Sequence, residues 1–172
     1  LAIQLADALS LIHNKQVIHK DLHPGNIIIN PDSGRVQIID FGLSSRLSRE
    51  QPTLSPPEHI EGILNYVSPE QTGRMNSPLD YRSDFYTLGV TFYELLSGVL
   101  PFKGEDALGI VYAHIANQEK PLCVINKSIP HALSDVVSKL LKKSAEDRYQ
   151  SASGIKKDLT KILNAVTTGE SL

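Results

Sequence analysis

Apolar residues recur at helical spacing from the first position, where Leu1, Leu5, Leu9 and Ile12 fall on one side of a 3.6-residue period. The pattern predicts a helix to about Asn14, because Asn14-Lys15-Gln16 breaks the period ahead of a short extended Val17-Ile18. After a loop over 19–26 come Ile27-Ile28-Ile29, the turn cluster Asn30-Pro31-Asp32-Ser33-Gly34, and Val36-Gln37-Ile38-Ile39. Two short antiparallel strands joined by that turn are expected, and this hairpin is the only clear sheet signal in the chain.

From Phe41 to about Pro69 the chain turns polar. Ser44, Ser45, Ser48, Thr53 and Ser55 stand among the breakers Pro52, Pro56 and Pro57, which predicts a loop of the length kept for a lid or a switch. The run SDFYTLGVTFYELLS over 83–97 is apolar on nearly every face and predicts a helix buried all round, capped by Gly98 and ended by Pro101. Its shortness, and the presence of Ser83, Asp84 and Glu94, suit a core post rather than a membrane span. Further helices are expected over 106 to about 118, 131–142 and 151–163, with Val137, Leu140 and Leu141, then Ile155, Leu159, Ile162 and Leu163, at helical intervals. The folded body is expected over 1–166 and a frayed tail over 167–172.

The length of 172 residues fits one domain with a sizeable core. An apolar share of 41% with 21% charged residues excludes wholesale disorder. The formal charge of -2 supplies no general attraction to nucleic acid or anionic lipid, so no nucleic-acid partner is expected. The single Cys123 excludes an internal disulfide and a Cys-rich zinc site, and it fits a reducing, cytoplasmic setting. No apolar window approaches a membrane span and the first residues lack the order of a signal peptide, so no membrane insertion by this segment is expected. The opening at Leu1, without an initiator Met and with nothing to cap the first helix, suggests a segment cut from a longer polypeptide.

Candidate chemistry concentrates in two places. His19-Lys20-Asp21-Leu22-His23-Pro24-Gly25-Asn26 follows the pattern H-R-D-L-x-x-x-N with Lys for Arg, and Asp40-Phe41-Gly42 begins fourteen positions after Asn26. Ser68-Pro69-Glu70 then closes a loop of fitting size. Each motif alone is a common turn; their order and spacing together are not. His19 and His23 also stand four apart, but Pro24 and Gly25 oppose the helix that a zinc pair at that spacing needs. His13, His59, His114 and His131 are scattered and carry no assigned role.

By these motifs the chain resembles the protein kinases, over essentially its whole length but only their larger C-terminal lobe. The resemblance implies an α+β fold, mostly helical, with a short two-stranded hairpin. The wording Ser68-Pro69-Glu70-Gln71-Thr72-Gly73-Arg74-Met75-Asn76, followed by Asp80-Tyr81-Arg82-Ser83-Asp84-Phe85-Tyr86, resembles the serine/threonine-kinase-type domain of bacterial multi-sensor signalling proteins. Members of that group typically continue into further signalling modules in the same polypeptide: an ATPase, sensors and often a histidine kinase.

The activity so implied is ATP- and Mg2+-dependent phosphoryl transfer to a Ser or Thr hydroxyl of a protein substrate, in signal transduction. The chemistry is mostly positioning and electrostatics, so it calls for a carboxylate at the substrate hydroxyl and hard oxygen ligands for magnesium. The resemblance assigns the first to Asp21 and the second to Asn26 and Asp40, and it places Ile28 with Asn26 and Asp40 at the nucleotide. It makes Asp84 the partner of the catalytic-loop backbone, Glu70 and Arg148 a buried ion pair, and His19 with Phe41 part of a regulatory spine. Gly42 gives the Asp40-Phe41 turn its freedom to move. Lys20 would pair with a phosphate added to Ser44, Ser45, Ser48, Thr53 or Ser55.

Two positions depart from the family. The lysine usual two residues after the catalytic Asp is His23, and the threonine usual after the glycine near the end of the activation segment is Ile63, so no Lys-to-Thr bridge can form. A protonated His23 would carry charge near the transferred phosphate. These departures motivate an alternative, a pseudokinase-like docking or signalling module with weak or no catalysis. A Gly-rich loop, a strand lysine and its partner glutamate helix, which the family places ahead of the catalytic loop, are absent from these residues, so this segment alone is expected to bind ATP poorly and catalyse little.

Overall fold

The computed structural model describes residues 1–46 and 63–169. Helix α1 spans Ala2–Asn14 and buries Leu5, Ala6 and Leu9, with no side chain capping its start. Two short strands follow the loop over 19–26: β2 (Ile27–Ile29) pairs antiparallel with β3 (Val36–Ile38), Ile28 opposite Gln37. The turn between them is tied by Asn30, whose Oδ1 accepts from the Asp32 and Ser33 N–H groups, and is completed by Gly34 at a left-handed φ of 64°. Gln4 of α1 holds the hairpin in place, donating to the Gly34 carbonyl at 3.1 Å and accepting the Val36 N–H at 3.0 Å.

A second pairing was not legible as a sheet signal. Strand β1 (Val17–Ile18) pairs antiparallel with β4 (Ser45–Arg46), which brings the chain just after Asp40-Phe41-Gly42 beside the start of the loop over 19–26.

The core post is α2, Arg82–Ser97, in which every residue from Ser83 to Tyr93 is buried, as its uniformly apolar pattern requires. Gly98 closes it at φ 74°, its N–H on the Glu94 carbonyl. Around the post lie α3 (Ala107–Ala116), α4 (Leu122–Ile125), α5 (His131–Leu140) and α6 (Ala152–Thr168). Asp106 and Ser151 cap α3 and α6 by accepting the Gly109 and Gly154 N–H groups. Helix α6 runs two residues past 166 before Gly169 stops it at φ 73°. Helix α2 packs on α5, and α1 on α6, where an exposed Lys156 to Asp7 pair at 2.8 Å bridges them.

Candidate active site

Asp84, fully buried in the first turn of α2, organises the loop over 19–26. Its Oδ2 accepts the His19 N–H at 2.9 Å and its Oδ1 accepts the Lys20 N–H at 2.8 Å. Those bonds hold Lys20 at a φ of 70°, a left-handed conformation that a lysine rarely adopts unaided. Asp84 Oδ2 also accepts from His13 Nε2 at 2.8 Å, with the His13 ring packed against both Tyr81 and Phe85. His13 therefore supports the loop from α1, a role that sequence reading missed because 71 positions separate the partners.

The loop then folds onto itself. Asn26 is buried and donates its Nδ2 to the Asp21 carbonyl at 2.9 Å and to Asp21 Oδ2 at 3.3 Å. On the other side of the carboxylate the Ile63 N–H reaches Asp21 Oδ1 at 3.4 Å. The missing threonine hydroxyl is thus answered in part by a backbone donor at the same residue. His23 brings Nε2 to 3.7 Å from Asp21 Oδ2, and its ring lies against Tyr66. Tyr66 belongs to the turn Leu64–Tyr66 and is anchored by its hydroxyl on Glu94 of α2.

His19 joins the two motifs. Its Nδ1 accepts the Asp21 N–H, so Nε2 carries the proton and donates to the Ile39 carbonyl at 3.0 Å. The Ile39 N–H in turn donates to the Asn26 carbonyl at 2.9 Å, which ties the residue before Asp40 to Asn26. Phe41 meets the His19 ring edge-on with centroids 4.8 Å apart, while remaining 45% exposed. The left-handed residue of this turn is Asp40, at φ 60°, rather than Gly42. Gly42 serves by its bareness: its N–H donates to Asp40 Oδ1, which a Cβ there would meet at 3.1 Å.

Farther from the chemistry, Glu70 and Arg148 form a bidentate pair at 2.6 and 2.8 Å, both nearly sealed from solvent. Arg148 places its remaining donors on the Lys142, Arg82 and Lys143 carbonyls, and Ser83 donates to Glu70 Oε1. Every guanidinium N–H is used, which offsets the desolvation that makes lone buried charges costly. Two further ties to the loop went unforeseen. Gln71 accepts from Ser68 and donates to the Lys20 carbonyl at 2.8 Å, and Thr91 of α2 donates to the Leu22 carbonyl at 3.2 Å. The signal for Gln71 lay in the wording after Glu70; Thr91 had none.

Among the candidate switch residues, Ser44 donates to the Phe41 carbonyl at 2.7 Å, and the Ser45 Oγ is buried. Ser48, Thr53 and Ser55, with Pro52, Pro56 and Pro57, lie outside the described residues, as does the end of the tail from 170.

Asn26 and Asp40 present one amide and one carboxylate, and among the described residues no group of three or more His, Cys, Asp or Glu side chains could cage a metal. Two hard oxygen donors fit magnesium, which keeps water and phosphate oxygens in its remaining places. No helix among the described residues is long and apolar enough to cross a membrane.

Comparison with known proteins agrees with this arrangement. The protein kinase domain family matches residues 1–160. A probable serine/threonine-protein kinase of Clostridium perfringens is 36% identical over 162 residues, covering 94% of this chain and 23% of its own length. Serine/threonine-protein kinase PknB of Mycobacterium tuberculosis is 32% identical over 157 residues, 91% of this chain and 25% of its own length. Hybrid signal transduction histidine kinase G of Dictyostelium discoideum is 31% identical, over 92% of this chain and 7% of its own length. The chain thus spans a quarter or less of the length of these relatives.

Proposed function

The chain belongs to the protein kinase domain family, and from that premise we propose that it is the C-terminal lobe of a protein serine/threonine kinase. Phosphoryl transfer from ATP to a protein Ser or Thr hydroxyl is the reading that the site supports best. The observation that carries it is the bonding of Asn26 to Asp21 in a loop held from behind by Asp84, with the residue before Asp40 bonded to the Asn26 carbonyl. A pure docking module has no chemical need of that set.

Asp21 orients the substrate hydroxyl and takes its proton as the hydroxyl oxygen bonds to the terminal phosphorus and the bond to ADP breaks. Among the described residues its two oxygens accept only long hydrogen bonds, at 3.3 and 3.4 Å, so lone pairs remain for the substrate. Asn26 turns its Nδ2 to Asp21, which leaves Oδ1 for the metal with a carboxylate oxygen of Asp40. Magnesium held there would neutralise charge on the phosphates. Ile28 and Ile39 stand exposed on one face of the hairpin, at 47 and 37%, an apolar shelf on which Ile28 takes the face of the adenine ring. The roof over that shelf comes from chain outside these residues, as do the further signalling modules, which the share of the relatives' length supports.

The test is the Asp21→Asn substitution in the complete two-lobe protein. Loss of the base should lower kcat by about 100-fold or more with the melting temperature unchanged. Unchanged turnover would refute Asp21 as the base.

A further inference from the structure

His23 is held at three points. Its Nδ1 accepts the Gly25 N–H at 3.1 Å, so the ring's proton stands on Nε2. That Nε2 faces Asp21 Oδ2 at 3.7 Å. The ring itself rests on Tyr66, centroids 5.6 Å apart, and Tyr66 is fixed by Glu94.

Gly25 accounts for the ring's place. Its φ lies outside the left-handed region, so the backbone does not require glycine there. A Cβ at Gly25 would instead come within 2.8 Å of His23 Cε1 and 3.0 Å of Nδ1. The bare residue makes the space that the imidazole occupies. Pro24, at the first position of the turn Pro24–Asn26, presets the φ that carries the Gly25 N–H back to the ring.

We propose that His23-Pro24-Gly25 is a tautomer lock: His23 acts as a neutral Nε2–H donor that orients the Asp21 carboxylate, with Gly25 setting both the place of the ring and the nitrogen that bears the proton. The proposal rests on the reading of Asp21 as the base. A separation of 3.7 Å is longer than a full hydrogen bond, so the N–H dipole steers Oδ2 without occupying its lone pairs. From the opposite side the Ile63 N–H does the same to Oδ1 at 3.4 Å. Two neutral donors bracket the carboxylate where the family's usual arrangement is a lysine and a threonine side chain. His23 is in this account a positioning residue whose ring need not be charged.

Four variants of the complete two-lobe protein test it by steady-state kinetics, with melting temperature measured on each: H23N, H23Q, G25A and D21N. Asparagine places its Oδ1 where Nδ1 accepts from Gly25 but has nothing at the Nε2 position; glutamine places an amide N–H near the Nε2 position. H23N should lower kcat by tenfold or more, about the cost of a misoriented catalytic group, with KM for ATP and the melting temperature unchanged. H23Q should recover kcat to within about threefold of wild type. G25A, which pushes only the movable ring, should behave as H23N does. Wild-type kcat in H23N, or an H23Q no better than H23N, overturns the lock, and so does a fully active G25A. If D21N is inactive while H23N is unaffected, the lock alone fails; an active D21N overturns the reading of Asp21 beneath it.

Discussion

His114 shows how one buried side chain sets the pH range of the fold. It is sealed between α3 and α2, with Nδ1 at 3.0 Å from the Tyr86 hydroxyl and the Phe102 ring edge-on at 5.1 Å. Burial, and then the nearby Lys143 ammonium, push its pKa down to about 4. An unfolded histidine takes a proton near 6.5, so between about pH 6.5 and 4 the unfolded state binds the extra proton. Stability from this residue is therefore whole above pH 6.5 and is lost as pH falls toward 4, by on the order of 3 kcal/mol. Urea midpoints of the complete protein measured between pH 7 and 4.5 should fall steeply, and His114→Gln should flatten that slope. An unchanged slope in the variant would assign the acid sensitivity elsewhere. The sequence showed no such role, because a lone histidine in an apolar helix reads as ordinary until its neighbours are known. Asp21, Asn26 and Asp40 were legible for the opposite reason: their spacing is fixed by chain that folds back on itself within a few residues. His13, Gln71 and Thr91 act on that same loop from distant elements, and nothing local to them announces it.

At the scale of elements, α2 is the part on which the site depends. It supplies Asp84 to the catalytic loop, Thr91 to Leu22 and Glu94 to Tyr66, so its placement sets the loop's. Gly89 lets α5 approach it: a Cβ there would lie 2.8 Å from Leu140 Cβ and 3.2 Å from Leu141 Cδ2. Gly89→Ala should therefore destabilise by about 1 to 3 kcal/mol through overpacking, against the ~1 kcal/mol that alanine gains over glycine in a helix. A lower melting temperature checks it, and a raised one would mean that α5 shifts freely. This helix was readable because its apolar run is continuous, and the β2 and β3 hairpin because two Ile/Val runs flank a turn cluster. The pairing of β1 with β4 was not, since two-residue strands separated by the catalytic loop and hairpin carry no period to read. Helix α4, a single turn after Pro121, is too short for one as well.

Across the whole molecule, the buried faces converge on α2 while apolar side chains stand open around the hairpin. Phe41 and Ile28 are each close to half exposed, at or beside the residues proposed to meet the nucleotide. That asymmetry follows if this lobe forms the floor of a cleft whose roof is the rest of the kinase domain. The chain keeps Asp21 bonded to Asn26 and the fully bonded Glu70 to Arg148 pair, and it sets His23 and the Ile63 N–H beside Asp21. The central claim is that this set performs magnesium-dependent transfer rather than docking. Its most direct test is the transfer of the terminal phosphoryl group of ATP to dephosphorylated casein by the complete protein, with and without Mg2+, in wild type and Asp40→Asn. Transfer that needs Mg2+ and falls by about 100-fold or more in the variant is the predicted result. Absence of transfer in wild type despite nucleotide binding, or transfer indifferent to Asp40, would contradict it.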